Sequence, residues 1–357
     1  MAKFHALTVK EVRRETEDCV SVSFDVSNGE YEAFQFIQGQ YLTLKANIDG
    51  EDVRRSYSIC SSPLDDELRV AIKKVEGGRF STFANEVLKA GDQLEAMPPM
   101  GHFYTELDAS HQHHYVAFAA GSGITPVMSI LKTVLYQEPN SHFTLFYGNR
   151  GADSIIFKEE LEALKNKFLS RFTLHFILSR EHPGSDLFFG RIDKEKCTTF
   201  CNLLIDPEDV DHFFICGPEP MIHAVKETLE EHGTTKEKIH FELFTSPVGP
   251  LGVQQVRKKK DSPRIESLIT ITLDGNSFSF DLPSSGATIL DAALKGGADL
   301  PFACKGGVCC TCKAKVLEGK VEMDVNYALE PDEVEAGYVL TCQAHPLTKN
   351  VSVSFDD

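Results

Sequence analysis

Residues 301–315 read PFACKGGVCCTCKAK. Cys304, Cys309, Cys310 and Cys312 crowd into nine residues around Gly306 and Gly307. Thiols at this density serve either a disulfide framework or a metal. The surrounding chain has 357 residues and ten cysteines, room for two or three domains with separate cores. It opens MAKFHALTVKEV, which alternates at once and has no basic region, apolar region or cleavage site of a secretion signal. The longest apolar stretch, YVAFAAGSGITPVMSIL at 115–131, is interrupted by Gly, Ser, Thr and Pro. It reads as strand, turn and helix start rather than a membrane span. We therefore expect a cytoplasmic protein, a compartment where structural disulfides are rare, and this favours metal for the cysteines. The net charge of −17 disfavours nucleic acid and anionic membranes and suits a basic patch on a partner protein.

Upstream the chain divides by period. Residues 1–103 hold FHALTVKEV, CVSVSFDV, QYLTLKANI and ELRVAIKKV, each alternating at period two between turns, which predicts a small antiparallel β-barrel. Residues 104–245 hold compact apolar strands, HYVAFAA, FTLFYGN, FTLHFILS and HFFICG, separated by helical stretches. That alternation predicts a parallel α/β sheet. Residues 246–264, SPVGPLGVQQVRKKKDSPR, read as a solvated linker. Residues 265–357 form a compact α+β unit around the cysteine loop.

The spacing Cys304-x4-Cys309-x2-Cys312, with Cys342 after 29 further residues, resembles that of plant-type [2Fe–2S] ferredoxins, and with it their β-grasp fold. Two bridged irons need four thiolates converging from one short loop and one distant strand end. Gly306 and Gly307 let the loop curl and aim N–H groups at sulfur. Thr288 is a predicted helix N-cap with Asp291 three residues on, and Gly296–Gly297 a predicted stop. Zinc is the alternative, in a non-enzymatic metal-binding module, although only Cys309 and Cys312 make a CxxC pair. Cys310 fits the iron spacing less well than Cys309 and reads as a small filler. The cysteines at 19, 60, 197 and 201 are scattered and carry no assigned chemistry.

A one-electron cluster needs a source. Arg55-x-Tyr57-Ser58 resembles the flavin signature of the ferredoxin–NADP reductase family. Arg55 can neutralise a phosphate, Tyr57 can pack on the flavin ring and Ser58 can bond its edge. Gly77 and Gly78 in GGRFS leave N–H groups for phosphate. Phe80 follows them, and Ser81 is expected to open a helix whose N-terminus favours an anion.

The turn AAGSGITP supplies Gly121, Gly123, Thr125 and Pro126 between a strand and a helix, as a nicotinamide pyrophosphate requires. ICGPEPM places Cys216 and Gly217 at another strand end, resembling the family segment beside the nicotinamide. No histidine lies in a motif that would make Cys216 a nucleophile. Ser179 and Arg180 in LSRE, with Arg150 in YGNR, suit a 2′-phosphate, hence NADPH; exposed surface charge is the alternative. Glu242 and Phe244 resemble the family's E-x-F ending, in which the aromatic ring covers the flavin. His111, His113 and His114 sit in a polar segment with no assigned chemistry.

Taken end to end, the chain is similar to oxygenase reductases of the ferredoxin–NADP reductase superfamily that carry a C-terminal ferredoxin. The runs EGGRFS, AAGSGITP, FICGP, ILDAAL, GADLPFACKGGVC, LEPDE and GYVLTCQA resemble the reductase subunits of phenylacetyl-CoA epoxidases. That resemblance implies FAD rather than FMN, NADPH, a [2Fe–2S] cluster and a diiron oxygenase partner. Reductases of Rieske hydroxylases or carnitine-type monooxygenases share these motifs.

Overall fold

A computed structural model describes residues 4–26, 32–244 and 265–356. The expected linker at 246–264 lies outside the described residues. There are two compact units, a larger one over His5–Val53 and Tyr57–Phe244 and a smaller one holding Phe4, Arg54–Ser56 and the described C-terminal residues from 265.

The larger unit begins with β1 (His5–Thr16), β2 (Cys19–Asp25), β3 (Tyr41–Ile48), β4 (Glu51–Ser58), β5 (Leu68–Lys73) and β6 (Gln93–Ala96). Their order in the sheet is β4-β3-β6-β1-β2-β5. A bridge between Ile59 and Val70 joins the chain just after β4 to β5 and closes the sheet on itself. Leu7, Val9, Val20, Val22, Leu42, Leu44, Val70 and Ile72 fill the interior, as the period-two alternation requires. Cys19, Cys60 and Ala71 belong instead to the core of the following α/β part. This double duty explains why β2 is buried over both faces. One helix, α1 (Arg79–Glu86), follows β5. It starts two residues before the expected Ser81, because Gly78 already has extended geometry and serves as its N-cap.

Next come β7 (His114–Ala120), α2 (Ile124–Gln137), β8 (His142–Asn149), α3 (Lys158–Lys167), β9 (Phe172–Leu178), α4 (Lys194–Leu203), β10 (His212–Cys216), α5 (Glu219–Glu231) and β11 (Ile239–Glu242). The sheet is parallel, in the order β11-β10-β7-β8-β9. The strand order reverses between β7 and β10, and ligands of such sheets bind outside the C-terminal strand ends at that point. Polar contacts tie barrel to sheet: Ser129 Oγ donates to the Ser61 carbonyl at 2.6 Å, and Lys132 pairs with Asp65 at 2.7 Å and Glu160 at 2.9 Å.

The smaller unit contains β12 (Glu266–Leu273), β13 (Asn276–Pro283), α6 (Ile289–Lys295), β14 (Lys313–Glu318), β15 (Val321–Met323), α7 (Pro331–Glu335), β16 (Tyr338–Leu340), β17 (Ala344–Pro346) and β18 (Asn350–Ser354). Five strands form a mixed sheet in the order β13-β12-β18-β14-β16, with β12 and β18 parallel. Ile269, Ile271, Ile289, Leu290, Ala293, Val351 and Val353 are buried. The predicted helix signals are all present. Thr288 Oγ1 accepts from Asp291 N at 3.2 Å, Gly296 is the C-cap, and Gly297 takes φ +91°. Among the described residues no helix is long and apolar enough to cross a membrane.

Candidate functional site

The switch point of the parallel sheet is assembled by close backbone approach. Gly121–Gly123 form a single 3-10 turn between β7 and α2. A Cβ on Gly123 would lie 2.0 Å from the Cys216 carbonyl oxygen, so only glycine fits there. Gly217 is close-packed less severely, with a Cβ position 2.7 Å from the flexible end of Met221 and 3.2 Å from Ala120. Thr125 Oγ1 donates to the Ser122 carbonyl at 3.0 Å and braces the turn, while Pro126 is buried in the first turn of α2.

Cys216 is fully buried and pairs in register with Ala119 of β7 and Glu242 of β11. Burial, reinforced by Glu242, pushes its thiol well above the usual range, so it stays protonated. Glu242 is the less usual group. Burial pushes its carboxyl from 4.5 up to about 8, against the opposing effect of the Ser58 hydroxyl. Ser58 Oγ donates to Glu242 Oε2 at 3.1 Å, which joins the end of β4 to the end of β11. At neutral pH this edge therefore carries a neutral thiol and a largely neutral carboxyl. Phe244, two residues on, is 38% exposed, an aromatic ring with little protein cover.

At the far side of the edge, Ser179 Oγ donates to the Asn149 carbonyl at 3.2 Å, and Arg180 N donates to the Arg150 carbonyl at 2.8 Å. Both arginine side chains are exposed. Two residues here were missed from sequence. Asn149 is buried at the strand end, and among the described residues its Nδ2 makes no hydrogen bond of good geometry. Glu181 Oε2 accepts from Ala152 N at 2.7 Å, so an acidic residue does stand beside β9, already engaged with backbone. Both lie inside the runs YGNR and LSRE, but neither type is distinctive without the fold.

Around the barrel, Arg55 is exposed on β4, its Nη1 donating to the Arg54 carbonyl at 2.6 Å. Tyr57 packs on Phe80 with ring centroids 5.5 Å apart. Phe80 is a core residue that supports Tyr57 from below. Ser81 Oγ is occupied by the turn itself, accepting from Val75 N at 3.1 Å and donating to the Gly78 carbonyl at 3.2 Å. Gly77, at φ +69°, has open space where a side chain would stand. A half-buried tyrosine and an open glycine turn fit a phosphate-bearing aromatic cofactor.

The four expected ligand thiols converge. Cys304 and Cys309 place their sulfurs 3.1 Å apart, and Cys342 lies within hydrogen-bonding reach of Cys304 and Cys312. Contacts with Cys309 and Cys342 pull the Cys304 thiol down, while contact with Cys304 pushes both those partners up. Thiols sharing protons in this way are a donor set that a cation can bind as thiolates. Gly306 N donates to Cys304 Sγ at 3.3 Å, as the glycines were expected to allow. Gly307, at φ +76°, is hemmed in by Val325 and Gln343. Gln343 Nε2 bridges to the Lys305 carbonyl at 3.1 Å and reaches Cys342 Sγ at 3.6 Å. Cys310 is buried with its thiol donating to the Ala328 carbonyl at 3.1 Å, and burial pushes it up to about 12.

Residues 6–104 match the oxidoreductase FAD-binding domain family, 118–227 the oxidoreductase NAD-binding domain family, and 271–347 the 2Fe-2S iron-sulfur cluster binding domain family. The chain is 48% identical over 356 residues to one of the subunits of the 1,2-phenylacetyl-CoA epoxidase of Escherichia coli (strain K12), covering 100% of this chain and 99% of that one. It is 35% identical over 355 residues to the ferredoxin reductase component of the 3-ketosteroid-9-alpha-monooxygenase of Rhodococcus rhodochrous, covering 98% and 96%. It belongs to the flavin- and [2Fe–2S]-containing oxygenase reductases. Phthalate dioxygenase reductase shares the fold at a TM-score of 0.57 and 19% identity, covering 99% of this chain and 98% of that one. Like other oxygenase reductases, the protein is an oxidoreductase of FAD, NAD(P)H and a [2Fe–2S] cluster. The non-enzymatic zinc module is thereby set aside.

Proposed function

We propose that this reductase draws electrons from NADPH and delivers them to a diiron oxygenase, the phenylacetyl-CoA 1,2-epoxidase of phenylacetate degradation. The observation that carries this is the 48% identity along the whole chain to a subunit of that epoxidase. Cys304, Cys309, Cys312 and Cys342 hold the cluster. Arg55, Tyr57, Ser58, Gly77, Gly78 and Ser81 hold FAD, with Phe80 beneath Tyr57. Gly121, Gly123, Thr125, Pro126 and Gly217 receive the dinucleotide, and Arg150, Ser179 and Arg180 its 2′-phosphate. When bound, these groups supply the electron chemistry, a pair from nicotinamide divided by flavin into single electrons for the cluster.

The chain's own part is positional. The neutral Cys216 thiol and the protonated Glu242 carboxyl keep the edge uncharged, and Ser58 fixes the carboxyl in place. Phe244, exposed at the end of this edge, would cover the face of a bound flavin. The division into 1–103, 104–245, 246–264 and 265–357 is supported by the three family matches. A reducing cytoplasm agrees with ten free cysteines.

The test is NADPH oxidation by the protein mixed with the epoxidase complex, with and without phenylacetyl-CoA. Substrate-dependent consumption with epoxide formed is the expected result. Consumption that ignores substrate, while cytochrome c is still reduced, overturns the partner assignment. It would favour another oxygenase, in line with the 33% identity to the glycine betaine monooxygenase reductase subunit of Pseudomonas aeruginosa (strain UCBPP-PA14), covering 88% of this chain and 86% of that one.

A further inference from the structure

The ends of β8 and β9 stay joined for two residues beyond the strands. Ser179 N donates to the Asn149 carbonyl at 2.9 Å, and Arg180 N to the Arg150 carbonyl at 2.8 Å. A side chain then takes over from the backbone: Glu181 Oε2 accepts from Ala152 N at 2.7 Å. Ala152 opens a single 3-10 turn that ends at Ser154. Ser154 Oγ closes this turn, accepting from Gly151 N at 3.1 Å and donating to the Gly151 carbonyl at 2.8 Å. Gly151 leaves room for the Glu181 carboxylate. A Cβ there would stand 3.0 Å from Glu181 Oε2 and 3.1 Å from Asp153 Oδ1.

The charges around this lock point to an anion. The chain has 53 acidic residues against 36 basic ones. Arg150 and Arg180, on adjacent strand exits, are nonetheless exposed, and among the described residues their guanidinium groups make no ion pair or hydrogen bond. Glu181, the sequence neighbour of Arg180, is engaged by a backbone N–H instead. In dinucleotide folds a carboxylate near this position holds a ribose 2′-OH, whereas arginine serves a 2′-phosphate. Free to swing, Glu181 would neutralise the arginines and repel a phosphate.

Resting on the assignment of the 2′-phosphate to Arg150, Ser179 and Arg180, we propose that Glu181 is a specificity-determining positioning residue for the phosphorylated dinucleotide. Pinned to Ala152 N, its carboxylate is withdrawn from the arginines and ties the exit of β8 to that of β9. The preference for NADPH then comes from where an acid is held rather than from its absence.

Ala152→Pro is the sharpest variant. Proline lacks the donor but suits the first position of a helical turn. Gly151, at φ −152° and ψ 174°, already has the extended backbone that a residue before proline needs. KM and kcat for NADPH and NADH are measured by cytochrome c reduction with the cofactor-loaded, full-length protein. We expect Ala152→Pro to raise KM for NADPH about tenfold, because the freed carboxylate competes with the phosphate, and to leave KM for NADH within about twofold. Glu181→Ala loses the tie without freeing a charge and should raise KM for NADPH about threefold. Glu181→Gln keeps an acceptor for Ala152 N and should restore the wild-type preference, with kcat steady in all three. Asp153→Ala removes a neighbouring charge and should leave the preference alone. A preference unchanged in both Ala152→Pro and Glu181→Ala, or shifted equally by Asp153→Ala, overturns the proposal. Arg180→Ala, run alongside, tests the phosphate assignment itself: if KM for NADPH ignores that change, the assignment has failed and the proposal falls with it. Should Ala152→Pro lose its flavin colour, the two Glu181 variants decide. Equal KM values for NADPH in both overturn the proposal, and a loss confined to alanine supports it.

Discussion

Three of the four thiols proposed as ligands come from nine consecutive residues, Cys304 to Cys312, whereas the edge around Cys216 draws on strand ends spread from Ala120 to Glu242. The first site is written in spacing and folds as one loop. The second exists only once the sheet has its order, because β7 and β10 are neighbours in space and distant in sequence. A loop of ligands should fail all at once when one is lost. A distributed edge should fail by degrees, each strand end carrying its own share.

The largest effect follows from breaking the loop. Cys309→Ala should abolish the cluster bands and lower electron delivery to the oxygenase by at least about a hundredfold. Flavin reduction by NADPH, measured by stopped flow, should stay near the wild-type rate. Loss of both together would mean that the two sites are not separable. Next comes the tightest point of the edge. Gly123→Ala forces a methyl against the Cys216 carbonyl and should cost about 3 kcal/mol in denaturant unfolding. Gly121→Ala, in open space at φ +55°, should cost only about 1 kcal/mol. Equal costs would deny that close approach governs the turn.

Glu242 gives a pH signature that the loop lacks. Between its ordinary 4.5 and about 8, the folded carboxyl keeps a proton that the unfolded one has released. Stability should therefore fall as pH rises through that window and level off above it. Glu242→Gln should flatten the profile, with a gain of up to about 5 kcal/mol above pH ~8 and almost none near pH ~4. An unchanged profile from chemical denaturation would remove the raised carboxyl from the account. Arg180→Ala should raise KM for NADPH about tenfold and leave that for NADH alone, since a hydrogen bond to a charged group is worth about 1.5–3 kcal/mol. Smallest of all, Cys310→Ala should keep full cluster absorbance and cost about 1 kcal/mol. Lost absorbance would make Cys310 a ligand after all.

The two sites also differ in how much could be read beforehand. Thr288, Asp291 and Gly296 announced α6, and the cysteine spacing announced its loop, since caps and ligand turns are local chemistry. The barrel strands were visible through alternation, but the burial of β2 on both faces was not, because its outer side belongs to a core with residues more than ninety positions away, such as Tyr147 near Cys19. The start of α1 was misplaced by two residues because Gly78, extended rather than left-handed, serves as a cap without a side chain. Asn149 and Glu181 went unnoticed because nothing in their type marks them until β8 and β9 lie side by side. The partner of His111 was not visible because Glu138 arrives from the far end of α2.

The Ser58–Glu242 hydrogen bond has a consequence for synthesis of the chain. Its partners are 184 residues apart, and β11 is the last strand of its sheet to be made. At ribosomal speeds of ~5–20 residues per second, roughly 10–40 s separate their emergence. Throughout that interval a nascent barrel has Ser58 without its carboxyl partner. A ribosome that stalls before residue 242 leaves a chain whose barrel strands are all present and whose nicotinamide edge is not.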